Sequence, residues 1–173
     1  MAYCIAEPLS RANIQVMADR IRLIEGCKGK YFFDIVHFLD VTLPRLDPSF
    51  TLSIKTKEEM GECHGLTYPD RNEIQIREDV YERAYNGSGR DRLTLAHELF
   101  HLLQHEKENI SFARSENIEP FRDPEWQASA FGGELLMPHD MIVGMSVEEV
   151  MKKCKVSMSA ANYQLKKCKE KMY

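Results

Sequence analysis

A chain of 173 residues, 43% hydrophobic and 29% charged, has apolar mass enough for a buried core and too much for a disordered segment. No apolar run reaches the ~20 residues that a membrane-spanning helix needs, and the opening MAYCIAEPLSR lacks the charged-then-apolar layout of a secretory signal. Five scattered cysteines without a CxxC pair exclude a disulfide framework or a zinc ribbon and point to a reducing cytoplasm, with the thiols acting as small buried apolar groups. The formal net charge of −4 is unevenly spread. Residues 146–173 carry seven lysines against Glu148, Glu149 and Glu170, so this segment is locally +4 on an acidic body.

Taken in chain order, Ser10 precedes RANIQVMADRIRLIEG, where Ile14, Met17, Ala18, Ile21 and Ile24 recur at helical spacing before Gly26 stops the run. YFFDIVHFLDVTLP reads as a second short helix that ends before Pro44. FTLSIKT (50–56) alternates and is β-branched, as strands are. GLTYPDRNEIQIRE places two such runs around Pro69–Asn72, which predicts a hairpin over 64–78. After the loop Asn86–Gly89, Ser88 and Asp91 resemble a capping pair for the next helix. Asp123 and Pro124 open another, Ser146 and Glu149 form a capping box, and Met158, Ala161, Leu165, Cys168 and Met172 stripe the last. This order predicts an α+β fold with a small three-stranded sheet.

Residues 97–105, HELFHLLQH, carry the chemistry. At ~100° per residue, Thr94, His97, Glu98, His101, Gln104 and His105 share one arc about 120° wide, opposite Leu95, Ala96, Leu99, Phe100, Leu102 and Leu103. His97 and His101, one turn apart, can both offer a ring nitrogen to one Zn²⁺. Glu98 is badly placed to join them as a ligand but near enough to reach a water at the metal as general base. A third ligand is needed. His105 would have to converge with His97 across about 12 Å of helix axis, so it fits better beside the site than in it. The Gly and His of the longer metzincin pattern are absent from LLQHEK. Glu125, 24 residues beyond His101 in the first turn of PEWQASAFGGELLMP, is a better candidate, although the helix dipole alone also favours an acid there. Glu134 is the rival, turned about 180° away from it.

TLAHELFHLLQH followed by DPEWQASAFGGELLMP resembles the ImmA/IrrE family of bacterial and phage-associated metallopeptidases, and the likeness extends through GLTYPDRNEIQIREDVYERAYNGSGRDR and LSRANIQVMADRIR to cover residues 9 to about 138. The resemblance implies a gluzincin-like zinc site with His97, His101 and Glu125 as ligands and Glu98 as catalytic base. It also implies a zincin-like core over 1–138, a helical, helix-turn-helix-like extension over 139–173, and a helix-turn-helix transcriptional repressor as the protein substrate. Two positions depart from the family pattern: Phe100 stands where Gly is usual, and Gly133 where Ala is commoner, the latter read as neutral.

Tyr68, Arg92 and His105 are the candidates for stabilising the oxyanion, and strand 73–78 for an edge that pairs with an extended substrate. The C-terminal lysines suit a solvated helix face better than DNA, since no arginine or aromatic interleaving supports base reading. The competing function is a regulatory partner of a repressor, or half of a toxin–antitoxin-like pair, that keeps the zinc fold without cleaving.

Overall fold

The hydroxyl of Ser10 accepts a hydrogen bond from the main-chain N–H of Asn13 at 3.1 Å, and helix α1 (Arg11–Ile24) begins there. In the computed structural model, which describes residues 3–104, 110–113 and 119–170, α1 ends as expected with Gly26 in the left-handed region. Its inward stripe differs from the expected one. Ile14 and Ala18 are buried, but the next position on that line is Arg22, not Ile24, which is exposed. The Arg22 guanidinium is only 2% exposed and donates to the carbonyls of Leu135 (2.6 Å) and Lys30. Main-chain acceptors satisfy a charge that burial would otherwise penalise.

The segment expected to stop before Pro44 runs through it. Helix α2 (Ile35–His37) passes into a π-helical turn at Phe38–Thr42 and then α3 (Leu43–Leu46). The wider turn leaves room for the proline ring, which a regular helix would drive into a preceding carbonyl.

Strand β2 (Thr51–Lys55) leads through α4 (Lys57–Met60) to β3 (Gly65–Tyr68) and β4 (Glu73–Arg77). β3 and β4 form the expected hairpin, paired antiparallel from Tyr68–Glu73 to Gly65–Ile76, with Asn72 in the left-handed conformation at the turn. β2 joins β4 in parallel, giving a three-stranded mixed sheet in the order β2-β4-β3. Strand 73–77 is therefore central, and both of its sides are already paired. The edge beside the histidine helix is β3. One face of β4 buries Ile74 and Ile76 completely.

The next helix, α5 (Glu78–Tyr85), precedes α6 (Gly89–Gln104), which carries the HELFH residues, and α7 (Pro124–Leu136). A short β5 (Ile110–Ala113) lies between α6 and α7 and pairs antiparallel with β1 (Tyr3–Ala6). α6 and α7 run antiparallel: Gly132 faces Leu93 and Ala96, while Glu125 at the other end meets His97 and His101. Phe100, completely buried, meets the ring of Phe131 with centroids 5.2 Å apart.

After α8 (His139–Ile142) come α9 (Val147–Cys154) and α10 (Met158–Lys169), joined by residues 155–157 with Lys155 left-handed. Val150, Cys154, Val156, Ala161 and Leu165 belong to the same buried cluster as Leu95, Leu99 and Phe131. Met158, expected in the inward stripe, is 58% exposed, and Gln164 takes an inward place. Among the cysteines, Cys27 and Cys154 are buried and free as expected, whereas Cys63 is exposed. The connection between α9 and α10 braces the start of α6. A Cβ on Gly89 would fall 2.5 Å from the main chain of Val156 and Ser157, and Arg92 donates to the carbonyls of Cys154 (2.9 Å), Lys155 and Phe33 (2.6 Å). Among the described residues, no helix is long and apolar enough to cross a membrane.

Candidate metal centre

α6 is packed on one flank by Leu95, Ala96, Leu99 and Phe100, all fully buried. That fixes the opposite flank, where the side chains of His97 and His101 remain 22% and 17% exposed. Their Nε2 atoms lie 3.0 Å apart. The cap of α7 brings in the third group: Asp123 accepts from the main-chain N–H of Glu125 at 2.9 Å, setting the first turn so that Glu125 projects toward α6. Glu125 Oε2 lies 3.1 Å from His97 Nε2, and Oε1 lies 3.4 Å from His101 Nε2. Hydrogen bonds from His101 and His97 hold the Glu125 carboxyl well below the usual carboxylate range, so it is anionic.

Two imidazole nitrogens and one carboxylate thus lie within 4.8 Å of one another. Donors placed tetrahedrally about Zn²⁺ at ~2.0–2.1 Å stand about 3.3 Å apart. The observed separations of 3.0, 3.1 and 3.4 Å fall on either side of that value. The donor set is the borderline N/O type that zinc takes, and three ligands leave a fourth position open.

Glu98 lies one step round the helix from His97 and is 9% exposed. Its Oε2 accepts a hydrogen bond from the hydroxyl of Thr67 at 2.7 Å, and the same hydroxyl stands 3.0 Å from the Glu98 main-chain oxygen. Gly65 faces it from the same strand: a Cβ there would lie 2.6 Å from Glu98 Cγ. Neither Thr67 nor Gly65 stood out in the sequence. A hairpin was legible, but which of its residues met Glu98 depended on how it crosses α6. A cleft of about 400 Å³ opens over these groups, lined by His64, Gly65, Arg90, His97, Glu98 and Ser129 among others.

The rival ligand, Glu134, lies elsewhere. Its carboxylate is fully buried between α1 and α10, accepting from Arg11 Nε at 3.2 Å and Gln164 Nε2 at 2.8 Å, and it has no part in the histidine cluster. Arg92 cannot serve an oxyanion: it is 2% exposed, its guanidinium is engaged by three carbonyls, and it stacks 4.5 Å from the Phe32 ring. Burial lowers its pKa to about 10. Tyr68 packs its ring under Arg71, 4.9 Å away. His105 lies outside the described residues.

The peptidase M78 family model, an IrrE N-terminal-like domain, matches residues 51–166. No curated protein matches the chain at a significant level. The matched span contains the three-stranded sheet, the whole of the HELFH helix, Glu125, α9 and most of α10. Covering about two-thirds of the sequence, this match makes the chain a member of the IrrE N-terminal-like peptidase family.

Proposed function

We propose that the chain is a zinc-dependent endopeptidase with a zincin-like core, in which His97, His101 and Glu125 hold the metal and Glu98 is the general base. The observation that carries this reading is the meeting of the three donors beside a carboxylate that is not one of them. A bound Zn²⁺ supplies Lewis-acid polarisation of the scissile carbonyl and makes water easier to deprotonate. Glu98 takes the proton of the attacking water and delivers it to the leaving amine. The apolar flank of α6, bedded in the core, keeps His97, Glu98 and His101 at a fixed mutual angle. The edge of β3, unpaired among the described residues, borders the cleft and offers main-chain groups to an extended peptide.

The substrate in this reading is a cytoplasmic helix-turn-helix repressor, whose cleavage relieves repression. Its support is the family resemblance of residues 9–138 together with the peptidase domain match. The basic C-terminal helices favour packing over phosphate contact: Lys153 and Lys155 stand over the rings of Tyr31 and Phe32, and Lys166 and Lys167 pair with Glu170. Co-expression of a candidate helix-turn-helix repressor with the chain, as wild type and as Glu98→Ala, tests the reading. A repressor fragment with wild type alone supports it. Equal fragment in both removes Glu98 from the chemistry, and a stable complex without any fragment makes the chain a binding partner that does not cleave.

A further inference from the structure

We infer that Thr67 is a positioning residue for Glu98: its hydroxyl, carried on the edge strand β3, fixes the carboxylate that faces the cleft. The inference rests on Glu98 acting as the base. A glutamate has three side-chain torsions, and a base that must meet one proton in one direction loses rate whenever those torsions wander. α6 fixes only the Cα–Cβ direction of Glu98. The remainder is set from β3, where Gly65 and Thr67 lie two apart and so face the same way.

Thr67 supplies the directional contact. Its single hydroxyl hydrogen has two acceptors in reach, Glu98 Oε2 at 2.7 Å and the Glu98 main-chain oxygen at 3.0 Å. Both belong to the residue being positioned, so the side chain is tied to its own helical turn. The β-branch of threonine restricts its χ1, and pairing of Thr67 with the fully buried Ile74 holds its main chain. Gly65 supplies the steric contact: a Cβ there would come within 2.6 Å of Glu98 Cγ and 2.9 Å of Oε1. The Glu98 side chain therefore packs closely against β3 at Gly65, with Oε2 bonded to Thr67. No hydrogen bond ties Thr67 to His97, His101 or Glu125 among the described contacts. Metal retention and base alignment are thus separable.

The test uses the full chain, zinc-loaded, as wild type, Thr67→Val and Thr67→Ser, with Thr67→Ala in place of the valine variant if that fails to fold. Fluorescein-labelled casein is the substrate probe, a chromophoric chelator reports bound zinc, and crystal structures report the Glu98 side chain. Expected for Thr67→Val are unchanged zinc content, unchanged KM, kcat lower by about 10- to 100-fold, and Glu98 density spread over more than one rotamer. Thr67→Ser restores the single rotamer and most of kcat. A single, unmoved Glu98 rotamer in Thr67→Val overturns the inference, as does an equal loss of kcat in the valine and serine variants. If wild type leaves casein intact, the peptidase reading fails with that probe, and the crystallographic comparison alone decides the role of Thr67.

Discussion

Glu125 Oε2 lies 3.1 Å from His97 Nε2, across 28 residues of chain and between two antiparallel helices. The contact joins a flank fixed by the buried face of α6 to a first turn fixed by the Asp123 cap of α7. Because the Glu125 side chain is 70% exposed, it can be altered without opening the core. Glu125→Ala should keep the far-UV circular dichroism of wild type and weaken zinc binding by more than the ~10–100-fold that outer partners of a metal site are worth. Competition with a chromophoric chelator measures this.

Phe100, a departure from the glycine that the family resemblance leads one to expect, fills the space against Phe131 and is completely buried. Placing that glycine here should be costly. Phe100→Gly loses the ring contact, leaves a cavity and adds a glycine to the helix interior, so unfolding free energy should fall by at least the ~3–5 kcal/mol of a Phe→Ala change. Urea denaturation followed by circular dichroism gives the value.

Gly133, read from the sequence as neutral, is constrained by its surroundings. A Cβ there would lie 2.8 Å from Gln164 Oε1. That amide cannot step aside freely, since it is fully buried, accepts from Arg11 and donates to Glu134 and to the Met137 carbonyl. Gly133→Ala should destabilise by about 1–3 kcal/mol, the usual cost of overpacking. A thermal melt showing an unchanged or higher midpoint would mean that α10 shifts to make room.

Asp91 joins α5 to the start of α6 through a two-pronged pair with Arg83, at 2.9 and 3.0 Å, and is 4% exposed. Burial pushes its carboxyl up, but the bonds from Arg83 and Ser88 outweigh this and leave its pKa below the ordinary value. A carboxyl with a depressed folded-state pKa binds protons more readily when unfolded. Its stabilising contribution is therefore present above the unfolded value of about 4 and is lost as pH falls through the folded one. Asp91→Asn should lower stability at pH 7 and show a shallower loss between pH 5 and pH 3. Urea midpoints across that range provide the comparison.

The parts of the molecule legible in the sequence are those governed by local periodicity. The 3.6-residue spacing around HELFH separated a packed flank from a polar one, and Ser10, Ser88, Asp123 and Ser146 marked helix starts by cap chemistry. Glu125 was a candidate because the 24 residues after His101 are enough chain to bring the first turn of a second helix alongside His97 and His101. What escaped depends on tertiary crossing. Arg22 and Arg92 are charged residues whose burial is intelligible only once their carbonyl partners are known. Thr67 and Gly65 look like ordinary strand residues until β3 is laid against Glu98, 31 residues from Thr67. The π-helical turn just before Pro44 and the pairing of β1 with β5 likewise rest on contacts that no local pattern announces.

The central claim is that His97, His101 and Glu125 hold one zinc ion. Anomalous diffraction from crystals grown with Zn²⁺, collected on both sides of the zinc absorption edge, tests it most directly. The account predicts one strong peak bounded by the two Nε2 atoms and the Glu125 carboxylate at ~2.0–2.2 Å, absent from crystals of Glu125→Ala soaked at the same zinc concentration. A peak centred elsewhere, or one of full strength in Glu125→Ala, would contradict it.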